Sequence, residues 1–83
     1  MILEIRTKEG DAVADLKGNI ALKFYKYLSE DAVNFTKAVK TFGSNSRERK
    51  QYNVFAVTSD MKINITDEVV IWLFAGSYVK ILL

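Results

Sequence analysis

The chain of 83 residues contains no cysteine, no histidine and no proline. Without cysteine it can form neither a disulfide nor a thiolate metal site, so packing alone must stabilise the fold. Without histidine it also lacks the commonest metal ligand and general base in proteins. These absences exclude most metalloprotein designs and the usual nucleophile and base pairs of hydrolases.

Glycine is also sparse, and the four glycines are too dispersed to form a phosphate-binding loop. The only adjacent acids are Glu30-Asp31 and Asp67-Glu68, each where a structural element is expected to begin. Neighbouring side chains point apart on a strand and lie about 100° apart on a helix, so neither pair forms a catalytic dyad. We therefore expect a non-enzymatic protein with no cofactor and no metal.

The length and composition indicate a single compact domain over residues 1–83. A chain of this size buries roughly 60–65% of its unfolded surface, which suffices for one core. Its apolar fraction of 49% and charged fraction of 27% are typical of folded proteins. No secretion signal follows Met1, and the longest apolar run is shorter than the about 18 residues of a membrane helix. We expect a cytoplasmic protein that does not enter the membrane.

The first third of the chain is predicted to form three strands. Residues 2–7 alternate weakly in polarity, residues 8–11 resemble a turn, and residues 12–16 complete a hairpin. After a second turn, Ile20, Leu22 and Phe24 share one parity, which is the pattern of a half-buried strand.

A helix is predicted next, over residues 30 to 42. Ser29 is a suitable capping residue, and the acids after it suit the positive end of a helix dipole. The following apolar residues recur at intervals of three and four: Ala32, Phe35, Val39 and Phe42. Gly43 would end the helix.

The remaining sequence has the pattern of further strands. Residues 52–57 and 61–66 are predicted to form a hairpin. Residues 69–75 are apolar in both parities, so a doubly buried strand and a short helix both fit, and their β-branched and aromatic content favours the strand. A turn at Gly76 and Ser77 would return residues 78–83 antiparallel to them.

Together these elements predict an α+β fold, a small antiparallel sheet of five or six strands with one amphipathic helix packed on one face. One helix covers only one face of such a sheet. A strand that is apolar on both faces therefore needs a second cover, supplied by a loop, a bent sheet or a second protomer.

The aromatic side chains near the C-terminal end supply the leading functional hypothesis. Tryptophan and tyrosine dominate interface hot spots, so Trp72, Phe74 and Tyr78 are a candidate protein interface, although the same residues could simply be core. We expect a protein-interaction domain that forms a homo-oligomer and binds a protein partner. Small standalone domains of this kind are often viral or mobile-element accessory factors that inhibit a host protein.

The charge distribution supplies an alternative hypothesis. Residues 17–50 carry eight basic and three acidic residues, whereas the rest of the chain carries four basic and seven acidic ones. Within this basic middle segment, aromatic residues alternate with lysines, a pattern that can stack bases and neutralise phosphates. The candidate nucleic-acid contacts are Lys23, Tyr25, Tyr27, Arg47, Arg49 and Lys50.

Overall fold

A computed structural model describes residues 1–42, 50–66 and 68–82, which form seven strands and one helix. The elements in chain order are β1 (Ile2–Arg6), β2 (Ala12–Lys17), α1 (Gly18–Glu30), β3 (Phe35–Phe42), β4 (Lys50–Val57), β5 (Met61–Thr66), β6 (Val69–Leu73) and β7 (Tyr78–Leu82). All strand pairs are antiparallel, so the predicted α+β class is confirmed.

The strands form two separate sheets. Five of them lie in the order β2-β1-β7-β4-β3, and the other two form a β5-β6 hairpin. The predicted hairpin of β1 and β2 is confirmed, with Leu3 opposite Leu16 in its register. Its turn is closed by the Gly10 amide, which donates to the carbonyl of Thr7. Gly10 has a φ of +94°, a conformation that glycine adopts without steric cost.

The helix prediction for residues 30–42 is wrong, because the helix spans Gly18–Glu30 instead. The alternation of Ile20, Leu22 and Phe24 suggested a strand, but Leu22 is exposed. The residues that α1 buries are Ala21, Phe24 and Leu28. Their spacing of three and four residues is that of a helix face. The same segment also fits an alternating pattern, so the spacing of apolar residues alone does not distinguish a helix from a strand.

The segment after α1 forms the strand β3. The apolar residues that were expected on a helix face there lie in a strand instead. Ser29 does not cap a following helix, because its hydroxyl donates to the carbonyl of Tyr25 in the last turn of α1. Asp31 then turns the chain by accepting hydrogen bonds from the backbone and side-chain amides of Asn34. β3 pairs with β4 from Phe35 opposite Val57 to Phe42 opposite Lys50, and this ladder outweighs the helical spacing.

Two strand pairings also differ from the predictions, although strands form at all four C-terminal positions. β4 pairs with β3 and β7, not with β5. β6 pairs with β5, not with β7, which lies between β1 and β4. Backbone hydrogen bonds link Val57 to Ser77 and to Gly76, and these bring β7 beside β4. The turn at Gly76 and Ser77 therefore carries the chain from one sheet to the other.

One hydrophobic core joins the helix to both sheets. The five-stranded sheet contributes Leu3, Ile5, Val79 and Ile81, all of which are fully buried. The hairpin contributes Ile63 and Leu73 to the same cluster, and α1 contributes its apolar face. The helix and the β5-β6 hairpin thus share the covering of the sheet. None of the described segments forms a helix with the length and apolarity needed to cross a membrane.

Candidate functional site: an apolar strip on β6

Three apolar side chains project outward from β6 and the residue that follows it. Val70 is 45% exposed, Trp72 57% and Phe74 61%. Their buried neighbours Ile71 and Leu73 point the other way, into the core. Because alternate residues of a strand share a face, the three exposed side chains form one continuous row. We call Val70, Trp72 and Phe74 the apolar strip.

The strip is unusual among the exposed apolar residues of the described segments. The other large ones are separated in the chain: Met1, Val13, Leu22, Tyr27 and Val33. Single exposed apolar residues are common on protein surfaces, whereas contiguous ones mark interaction sites more often. The strip is therefore the surface feature that most needs a functional explanation.

The local sequence explains how β6 is held in this orientation. The hydroxyl of Thr66 accepts hydrogen bonds from the amides of Glu68 and Val69, which fixes the turn between β5 and β6. At the other end, the carboxylate of Asp60 accepts a hydrogen bond from the Ala75 amide at 2.8 Å. Both ends of β6 are therefore tied to β5 or its flanking turn.

The neighbouring strand adds a charge beside the strip. Lys62 lies opposite Trp72 in the β5-β6 register, and its ammonium nitrogen lies 5.5 Å from the centre of the indole ring. This is a cation–π distance, and the contact places a positive charge at the aromatic centre of the strip. A binding partner would meet apolar surface and one cation together.

Two of the three predicted interface residues lie in the strip, and the third does not. Tyr78 is half-buried in β7, opposite Arg6 of β1 and Ala56 of β4. It therefore belongs to the five-stranded sheet, whereas Trp72 belongs to the β5-β6 hairpin. Sequence reasoning missed Val70, although its parity with Trp72 and Phe74 indicates it, and Lys62, which is found only once the β5-β6 register is known.

Those candidate nucleic-acid contacts whose side chains the structure describes line two different depressions. Lys23 and Tyr27 lie on α1 instead of a strand, and with Lys26, Glu30 and Ile65 they line a depression of about 300 Å³. Tyr25 lies elsewhere on the helix.

Tyr25 lines a second depression, of about 410 Å³, together with Phe35, Lys37 and Phe55. Lys50 begins β4, and its side chain lies outside the described part of the structure. The predicted contacts Arg47 and Arg49 also lie outside the described residues.

The outward side of the five-stranded sheet carries a small charge cluster. Arg6 donates to Asp15 at 2.7 Å and to Glu4 at 3.0 Å. The hydrogen bond to Asp15 is the largest cause of the raised pKa of the Arg6 guanidinium. Glu4 and Asp15 are cross-strand neighbours whose charges Arg6 compensates. Within residues 1–42, 50–66 and 68–82, no three acidic side chains are grouped as metal ligands would be.

Comparison of the chain with protein-family models, with curated proteins and with solved structures found no match.

Proposed function

We propose that the protein is a non-enzymatic interaction domain that binds a partner protein through the apolar strip. Its size suits an accessory factor, of viral or mobile-element type, that inhibits a host protein by occupying its surface. The observation that supports this proposal is the exposure of Trp72 and Phe74 side by side.

The chemistry of the strip defines the partner surface that it fits. Trp72 and Phe74 present rigid aromatic surface whose desolvation would stabilise a complex. Lys62 adds a cation over the indole ring. The complementary surface is an apolar cleft with a carboxylate at its rim, because an aspartate or glutamate there would pair with Lys62.

A site-specific crosslinking experiment tests this proposal. A photoreactive phenylalanine analogue at position 74 should form a discrete adduct with one host protein, and the same analogue at Val33 should not. Val33 is the matched control because it is apolar and 85% exposed but lies outside the strip. Adducts of equal yield and identity from both positions would contradict the proposal.

Affinity measurements with the captured partner provide the quantitative test. Trp72→Ser should weaken binding by roughly 30-fold or more, the effect of losing about 2 kcal/mol at a hot spot. Leu22→Ser is the control, since Leu22 is 50% exposed on α1. Lys62→Gln should mainly slow association and reduce its salt dependence, as expected for a charge at an interface rim.

Nucleic-acid binding is a second candidate function, supported by the positions of Lys23, Lys26 and Tyr27 around one depression. Titration of a labelled single-stranded oligonucleotide tests it. Binding that falls steeply with salt and is lost in Lys23→Ala/Lys26→Ala would support this candidate. Binding that is unchanged in that variant, or absent at low salt, would exclude this surface.

A further inference from the structure

β6 differs from the other edge strands of the two sheets. β2 carries Asp15, Lys17 and a bulge at Val13, and β3 carries Lys37. Charges and bulges of this kind prevent an edge from pairing with another chain. β6 has the sequence VVIWL, with no charge and no proline. It lacks the usual protection of an edge strand.

The two edges of the β5-β6 hairpin are also unlike each other. On the β5 side, the Tyr27 hydroxyl of α1 donates to the Asn64 carbonyl at 3.2 Å, so the helix covers that edge. On the β6 side, no backbone group of the described residues outside the hairpin bonds to Val69–Leu73. The open edge of the hairpin is therefore that of β6.

The covered edge reveals which backbone groups of β6 are directed outward. Since the Asn64 carbonyl bonds to Tyr27, it points away from β6. In an antiparallel ladder, opposed residues alternate between pairs that bond to each other and pairs whose N–H and C=O groups point away from each other. A residue whose carbonyl points away from the partner strand belongs to a pair of the second kind. Val70 lies opposite Asn64, and Trp72 lies opposite Lys62 two positions along. The amide and carbonyl of Val70 and of Trp72 are thus directed to the open edge.

We infer that β6 pairs antiparallel with β6 of a second copy of this chain, around a two-fold axis at Ile71. This register places Val70 of each copy opposite Trp72 of the other. The outward N–H groups of these residues then donate hydrogen bonds to the outward C=O groups of the other copy. The occupant is a second copy because the uncharged strand is complementary to itself in shape and in its outward backbone groups. This register sets the exposed β-branched side chain of Val70 beside the exposed aromatic side chain of Trp72 from the other copy, a favourable cross-strand pair that occurs twice around the axis.

The area available indicates a weak dimer. Large aromatic side chains expose about 150–250 Å² when free, so the exposed fractions of the strip residues correspond to about 300 Å² per chain. A stable interface needs about 800 Å² from each partner. The pairing should therefore form at high protein concentration and dissociate on dilution.

The dimer would also enlarge the surface that binds a partner protein. Pairing at β6 places the two apolar strips side by side, and the part of their surface that the pairing leaves exposed would form one continuous apolar surface. This consequence rests on the proposed function, whereas the dimer itself does not.

A proline substitution at the open edge tests the pairing. Val70→Pro removes an N–H group that bonds to no backbone group among the described residues outside the hairpin, and proline is tolerated on an edge strand when its nitrogen faces outward. Val70→Thr is the matched control, because it changes the side chain at the same position, exchanging one methyl group for a hydroxyl, but keeps the N–H. Sedimentation velocity should show wild type and Val70→Thr passing from monomer to dimer between about 10 µM and about 1 mM, the range of weak complexes. Val70→Pro should remain monomeric with an unchanged circular dichroism spectrum.

The inference is overturned if the wild-type protein stays monomeric throughout that range, or if Val70→Pro dimerises as well as the wild type. If Val70→Pro does not fold, amide hydrogen exchange of the wild type decides instead. Protection of the Val70 and Trp72 amides should rise with protein concentration, and concentration-independent exchange would overturn the pairing.

The two proposals fail separately. A monomer that still crosslinks through position 74 refutes only the dimer. A dimer whose strip captures no protein refutes only the proposed function.

Discussion

Two sheet surfaces of this molecule face away from the core, and they differ in chemistry. The outward side of the five-stranded sheet carries Glu4 and Arg6, joined to Asp15 by ion pairs. The outward side of β6 carries the apolar strip. On the first surface, Arg6 compensates the charges of both acidic side chains. The second leaves apolar area in contact with solvent, which complex formation would remove.

The largest expected effect is a difference in the free energy of unfolding between substitutions at two adjacent residues whose side chains point to opposite sides of β6. Leu73 is 1% exposed, so Leu73→Ala should lower the free energy of unfolding by about 2–5 kcal/mol. Phe74→Ala, one residue further, should lower it by less than about 1 kcal/mol, since surface substitutions have small effects. Denaturant unfolding of both variants at low protein concentration measures the difference. Equal losses would show that Phe74 is buried and would remove the contrast between the two surfaces.

A smaller effect is expected on the charged surface. Arg6→Ala breaks both ion pairs and should lower the free energy of unfolding by about 1 kcal/mol or less, because such pairs are partly solvated. The loss should shrink as salt is added, since salt screens the charges. Lys17→Ala is the control, because Lys17 is an exposed cation of the same sheet. A loss that does not respond to salt would instead indicate that the Arg6 side chain contributes through packing.

The smallest expected effect lies outside both surfaces, at the turn after α1. Hydrogen bonds from Asn34 hold the pKa of Asp31 below its ordinary value. A carboxyl with a lowered folded pKa stabilises the protein above its unfolded pKa and loses that contribution as pH falls through the folded pKa. Asn34→Ala should raise the pKa of Asp31 in an NMR titration, and Asn19→Ala should not. An unchanged Asp31 titration in Asn34→Ala would show that this hydrogen bond does not control the carboxyl.

The strand positions near the C-terminal end could be predicted because their patterns are local. Ile63 and Ile65 alternate with polar residues, and both are buried as expected. The pairing of the strands could not be predicted in the same way. It depends on hydrogen bonds between Val57 and the turn at Gly76 and Ser77, which no pattern within a single strand records.

The helix prediction is wrong because an alternating and a helical pattern of apolar residues overlap in the segments of both α1 and β3. Phe24 fits both the alternating and the helical pattern, and only the burial of Ala21 and exposure of Leu22 distinguish them. Phe35 likewise fits a helix, but its segment contains two threonines and a valine, which favour a strand. β-Branched content was the better local guide in this second segment.

Part of the candidate site could be predicted because its sequence pattern is local to one strand. The double apolar parity of residues 69–74 indicated that β6 has two apolar faces, and one of them is buried while the other is open. Tyr78 follows a turn that leads into the other sheet, so its proximity to Trp72 in sequence does not place the two residues in the same sheet.

The fluorescence of Trp72 tests the open apolar strip most directly, because it is the only tryptophan in the chain. In dilute protein, we predict a red-shifted emission that acrylamide quenches readily. Iodide should quench it more strongly than caesium, because the Lys62 ammonium lies beside the ring, and Lys62→Gln should narrow that difference. A blue-shifted emission that resists all three quenchers would show that the indole is buried and would contradict the account.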